Sequence, residues 1–129
     1  MSGDYTYDYD NRFDPAMPVV TMRLGPALSA TTIELSAIVD SGADATSIPI
    51  SQLRLFGARR QRKAWLRGIT GAPQLIDLYA VAVEVGPFRQ ALLEVIGDMI
   101  NDEAIIGRDV LNHIELTLNG PANSVLISG

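Results

Sequence analysis

From Met17 to Leu24 the apolar Val20, Met22 and Leu24 alternate with Thr21 and Arg23, and from Thr31 to Val39 the residues Ile33, Leu35, Ala37 and Val39 alternate with Thr32, Glu34, Ser36 and Ile38. A repeat of two is the signature of a strand with one buried face. Gly25-Pro26 and Gly86-Pro87 mark turns, and Asn119-Gly120 is the strongest hairpin signal in the chain. Further strands are expected at Ile48 to Ile50, where Pro49 demands an edge or a strand end, at Phe88 to Ile96, at Ala104 to Ile106, and at Ile114 to Leu118 with Ser124 to Ser128. Ala64 to Ile69 and Gln74 to Val85 read as the arms of a long hairpin. Ser51 is expected to cap one helical turn that Gly57 stops. The spacing of Val110, Leu111 and Ile114 predicts a helix over Arg108 to His113. The class is therefore all-β, a small closed or sandwich-like barrel with one short C-terminal helix. Residues 1 to 14, where Tyr5, Tyr7 and Tyr9 alternate with polar neighbours, read as a flexible or loosely docked tail, and 15 to 129 as one domain.

The 129 residues are 47% hydrophobic, enough for one core, and no apolar run reaches the roughly 18 residues of a membrane span. No membrane association is expected. There is no cysteine and a single histidine, His113, which argues against a disulfide framework, a thiolate or histidine metal site and a Ser-His-Asp triad. Neither a metal nor a cofactor is expected. Met1 is followed by Ser, Gly, Asp and Tyr, without the basic flank and apolar core of a secretory signal, so a cytoplasmic location is expected. The net charge of −5 is unevenly spread. Residues 45 to 76 hold Arg54, Arg59, Arg60, Arg62, Lys63 and Arg67 and no acid, while Asp4, Asp8, Asp10 and Asp14 crowd the N-terminus. Without a zinc knuckle or interleaved aromatics, the basic stretch reads as a solvated edge loop pairing with the acidic tail or a partner, and no nucleic acid is expected.

Two segments carry the chemistry. In Ala37-Ile38-Val39-Asp40-Ser41-Gly42-Ala43 an apolar strand delivers one carboxylate to a turn made by a hydroxyl residue and a glycine. Some sixty residues on stands Ala104-Ile105-Ile106-Gly107-Arg108-Asp109-Val110-Leu111. In this order and spacing, the two resemble the retropepsin family of aspartic peptidases, over roughly Val19 to Leu118. The family hydrolyses peptide bonds with two carboxylates that share one proton, since two acids about 3 Å apart cannot both ionise. Only one Asp-Ser-Gly is present, so the resemblance implies a symmetric homodimer that pairs Asp40 of one copy with Asp40 of the other.

The resemblance assigns the neighbours. Ser41 hydrogen-bonds across the dimer axis, Gly42 lets the backbone approach and offers its N–H to Asp40, Ala43 is the small residue of the pattern, and Asp44 pairs with Arg108, whose planar guanidinium suits a two-pronged contact. Gly68, Ile69, Thr70 and Gly71 fall where the family has its flap, the mobile cover of a bound peptide, although the tip is poorer in glycine than is usual and is followed by Pro73. Ile48, Ile69 and Ile106 are expected either to line substrate pockets or to pack in the core, and Trp65 either in the core or at a subsite. A peptide or protein substrate, extended and apolar near the cut, is implied as an added strand. The Asn119-Gly120 hairpin and the strand after it look less like viral enzymes, whose chain ends interleave, and more like cellular, bacterial or retroelement relatives. A different outcome is also open: the same fold serving as a dimerisation or peptide-binding module with little or no hydrolysis.

Overall fold

Alternation becomes structure first in the antiparallel pair β2 (Val19–Pro26) and β3 (Ile33–Val39), which places Val20, Met22 and Leu24 on one buried face. The computed structural model describes residues 3–67 and 71–129. Next come β4 (Ser47–Pro49), α1 (Ile50–Leu55), β5 (Arg59–Leu66), β6 (Gln74–Val85) and β7 (Phe88–Asp98). The chain continues as β8 (Ala104–Ile106), α2 (Arg108–Leu111), β9 (Leu116–Asn119) and β10 (Ser124–Ile127), while β1 (Tyr5–Asp8) precedes them all.

The strands β2, β3, β8, β4, β7 and β6 are bonded in that order, and a β2–β6 pairing closes them into a barrel. Closure leaves no free edge inside the ring. β6 makes it possible by dividing one of its edges: Gln74 to Ala80 pair with β5, and Val81 to Glu84 with β2. Its other edge meets β7 only from Leu78 onward, so Gln74 to Asp77 are bonded to β5 alone and the β5–β6 hairpin stands out from the barrel as a two-stranded arm. Inside the ring, Met22, Leu24, Ile48, Val81, Val83, Val95, Ile106 and Val110 are fully buried. Each such side chain is worth about 1.5–3 kcal/mol in transfer from water.

Several expectations need correction. There are two short helices: α1 is a full element, its N-cap is Pro49 with no side-chain cap, so Ser51 lies inside the helix, and α2 has four residues. Of the segment expected to be a loose tail, the described residues 3 to 14 are not one. β1 pairs with β10, which pairs with β9, forming a separate three-stranded sheet, while Asp10 and Met17 bridge their backbones. Tyr7 and Tyr9 pack against the core, and it is this burial that draws the segment down. The basic stretch is strand rather than loop over Arg59 to Leu66, and its acids come from the neighbouring strands instead of the N-terminus. Arg62 donates to Glu94 of β7 at 3.1 and 3.2 Å, and Lys63 to Asp77 of β6 at 2.9 Å. Trp65 is 71% exposed on the arm and is not core.

Candidate active site

β3 and β8 run parallel, with Val39 opposite Ile106, and both strands end at this level. Asp40 follows directly: its N–H donates to the Ile106 carbonyl at 3.1 Å, and its own carbonyl accepts the N–H of Ala43 at 3.2 Å. This tight turn points the Gly42 N–H at Asp40 Oδ1, 2.9 Å away. A Cβ on Gly42 would sit 3.1 Å from that oxygen and crowd the bond. The expected donation from Gly42 is therefore present, while Ser41 is exposed at the outside of the turn.

The turn is strapped to the segment that follows β8. Arg108 Nη1 donates to the Ser41 carbonyl at 2.6 Å and Nη2 donates to Asp44, giving the expected ion pair between the two motifs. Arg108 also gives its backbone N–H to the Ala43 carbonyl at 2.9 Å. Behind these contacts lies a lock whose parts the sequence shows without their role. The fully buried Thr46 hydroxyl donates to Asp109 Oδ1 at 2.7 Å and accepts the Gly107 N–H at 3.2 Å. The Thr46 N–H donates to Asp109 Oδ2 at 3.0 Å. Gly107 has no alternative residue, because a Cβ there would lie 2.6 Å from the carbonyl carbon of Ala45.

The turn opens through Gly42, Ala43 and Asp44 onto a cleft of about 800 Å³ between the arm and the end of the barrel. Leu66, Leu75 and Ile76 of the arm form one side, and Ile96, Met99, Ile100 and Ile105 the other. Apolar walls of this kind, interspersed with the charged Asp44, Arg67, Asp77, Asp98 and Arg108, suit a ligand with apolar side chains. Ile48 and Ile106 are not among these walls. Both are fully buried in the core, and the residues beside them, Ser47 and Ile105, face the cleft and pair with each other. Side chains alternate along a strand, so core and cleft are separated by one residue. Gly68, Ile69 and Thr70 lie outside the described residues, and Gly71 is exposed at the base of the tip. Met99 and Ile100, in the loop after β7, also line the cleft, and no motif in the sequence singles them out. Their adjacency to the second motif was the available signal. Among the described residues no group of three or more His, Cys, Asp or Glu side chains is placed to hold a metal.

A closed barrel with an Asp-Ser-Gly turn at its rim and an arm beside the adjoining cleft is the architecture of a retropepsin-like domain. The family model for retroviral aspartyl protease matches residues 15–119, and the chain belongs to that family. A retropepsin-like aspartic protease from Rickettsia conorii has the same fold, with a TM-score of 0.65, 11% identity, and coverage of 97% of this chain and 90% of that one. EIAV protease, complexed with the inhibitor HBY-793, gives a TM-score of 0.53 at 19% identity over 75% of this chain and 86% of its own. No curated protein matches the sequence.

Proposed function

We propose that this protein is an aspartic endopeptidase that works as a symmetric homodimer, with the Asp40 carboxylates of two copies facing each other across the two-fold axis. One carboxylate takes a proton from water as the oxygen attacks the peptide carbonyl carbon. The other, protonated, gives its proton to the carbonyl oxygen, and collapse of the tetrahedral diol delivers a proton to the leaving amine. The chain offers one Asp-Ser-Gly turn, so the second acid has to come from a second copy. Ser41, exposed at the turn, is then free to bond across the axis.

The observation that carries this reading is the rigid mounting of Asp40. The parallel β3–β8 pair fixes its backbone, the Gly42 N–H orients Oδ1, and Arg108 holds the turn from behind. A catalytic acid needs this kind of preorganisation, since small displacements of reacting groups cost rate. The apolar walls of the cleft suit an extended peptide with apolar side chains beside the cut, the arm supplying a strand edge and a cover.

Hydrolysis of a mixed peptide library between pH 4 and 7 tests the reading. Wild type should cleave, Asp40→Asn and Asp40→Ala should not, and a statine-type inhibitor should stop the wild-type reaction. Equal behaviour of wild type and variants would overturn it.

A further inference from the structure

Four consecutive residues, Asp98 to Asn101, form one wall of the cleft, and a single carboxylate ties them together. Asp98 ends β7, where it is paired with Pro49 of β4. Just before it, Gly97 lies so close to Tyr79 that a Cβ would come within 2.5 Å of the ring, so the chain enters the loop along a fixed path. Asp98 Oδ1 accepts the N–H of Ile100 at 2.8 Å and that of Asn101 at 3.1 Å. Its Oδ2 accepts from Asn101 Nδ2 at 3.0 Å. The backbone is thereby clamped on both sides of Met99.

The consequence shows in the side chains. Met99 and Ile100 are 81% and 89% exposed, the most water-exposed large apolar residues described in the chain. They line the same cleft as Ile96 and Ile105, and the clamped backbone fixes where they are presented. Burial works against the Asp98 charge, but the two backbone N–H donors and the Asn101 amide outweigh it and hold the carboxyl below its usual range, so the clamp is ionised in neutral and mildly acidic solution.

We propose that Asp98 is a positioning residue that holds Met99 and Ile100 as a preformed apolar wall for a side chain of the bound peptide, and so sets selectivity and KM. The assignment rests on the peptidase reading above. Asp98 spends its carboxylate on the loop backbone and the Asn101 amide, and so acts through Met99 and Ile100. Its effect is to spare the loop the ordering cost that binding would otherwise exact.

Two measurements on the purified protein test this. Amide hydrogen exchange at Ile100 and Asn101 should be protected in wild type, protected in Asp98→Asn, whose amide oxygen still accepts both N–H groups, and lost in Asp98→Ala. Steady-state kinetics on peptides differing in one apolar side chain should show KM raised about tenfold in Asp98→Ala with kcat within about twofold, and near-complete rescue in Asp98→Asn. Ile100→Ser should shift the preferred side chain without changing exchange at Asn101. Unchanged protection in Asp98→Ala overturns the clamp, and lost protection with unchanged KM overturns its role in selectivity. If wild type hydrolyses nothing, the peptidase reading falls by itself. Equilibrium binding of the same peptides to wild type and Asp98→Ala then decides the clamp, equal affinity overturning it.

Discussion

The Thr46 hydroxyl donates to Asp109 Oδ1 at 2.7 Å across 63 positions of sequence, and the Thr46 Oγ1 also accepts the Gly107 N–H. One buried atom therefore joins the loop carrying Asp40 to the start of α2. Thr46→Val keeps the shape and removes the hydroxyl, which strands a buried N–H and weakens the hold on a carboxylate. A loss of about 2–3 kcal/mol of unfolding free energy is expected, and about 1 kcal/mol or less for Thr46→Ser. Urea denaturation at one fixed protein concentration measures both, since any dimer contributes to apparent stability.

The Arg108–Asp44 pair is of a different kind. The two side chains are 42% and 77% exposed, so their attraction is screened by water and salt. Asp44→Ala is expected to change unfolding free energy by no more than about 1 kcal/mol. Arg108→Lys removes the fork that reaches the Ser41 carbonyl and Asp44 together, and should loosen the turn more than it destabilises the fold. Comparison of kcat/KM with the urea midpoint in the same variant separates the two effects: activity should fall at least about tenfold while the midpoint barely moves.

Glycine substitutions give a sharp contrast. Gly107→Ala would place a methyl 2.6 and 2.7 Å from the carbonyl carbon and oxygen of Ala45, both backbone atoms that cannot swing aside. Destabilisation of about 1–3 kcal/mol or more is expected from the forced backbone shift. Gly71→Ala meets nothing within 4 Å and should leave the melting temperature unchanged. Thermal unfolding of the pair checks the contrast.

Most of the fold was legible because its signals are local. The alternation in β2 and β3, the turn pairs, and the two motifs around Asp40 and Arg108 sit within a few residues of what they determine. Three features were not. β1 joins β10 at the far end of the chain, and the alternation of Tyr5, Tyr7 and the following Tyr9 fits a solvated tail as well as a docked strand. Ile48 and Ile106 are core and Ser47 and Ile105 face the cleft, a matter of one-residue parity that short apolar runs do not fix. The chain spends Trp65 on an exposed arm, against the usual tendency of tryptophan to be mostly buried.

Asp98 makes stability depend on pH in one direction. Its carboxyl is held below the usual value of 3.8 in the folded protein. The stabilisation is complete above the unfolded pKa and is lost as pH falls through the lower folded value. Wild type and Asp98→Ala should therefore differ by a constant amount from pH 5 to 7 and converge as the solution is taken below pH 3.8. Unfolding free energies across that range test the sign: a gap that widens on acidification would contradict the hydrogen bonds assigned to Asp98.

The proposed dyad makes a demand that no single-chain enzyme would meet. If each site takes one Asp40 from each copy, a subunit bearing Asp40→Asn is a partner that forms dimers and spoils them. Mixing wild type with an equal amount of Asp40→Asn, at concentrations where dimers form and exchange, leaves a wild-type partner for about half of the wild-type subunits, so activity should drop to about half. With a ninefold excess it should drop to about one tenth. A site built within one chain would ignore the added variant at every ratio. Because Asp40→Asn keeps the oxygen that accepts the Gly42 N–H, the variant should fold and dimerise normally, which sedimentation of the variant alone verifies. Titration of activity against added variant, carried out well above the dimer dissociation constant, thus distinguishes a shared site from a self-contained one.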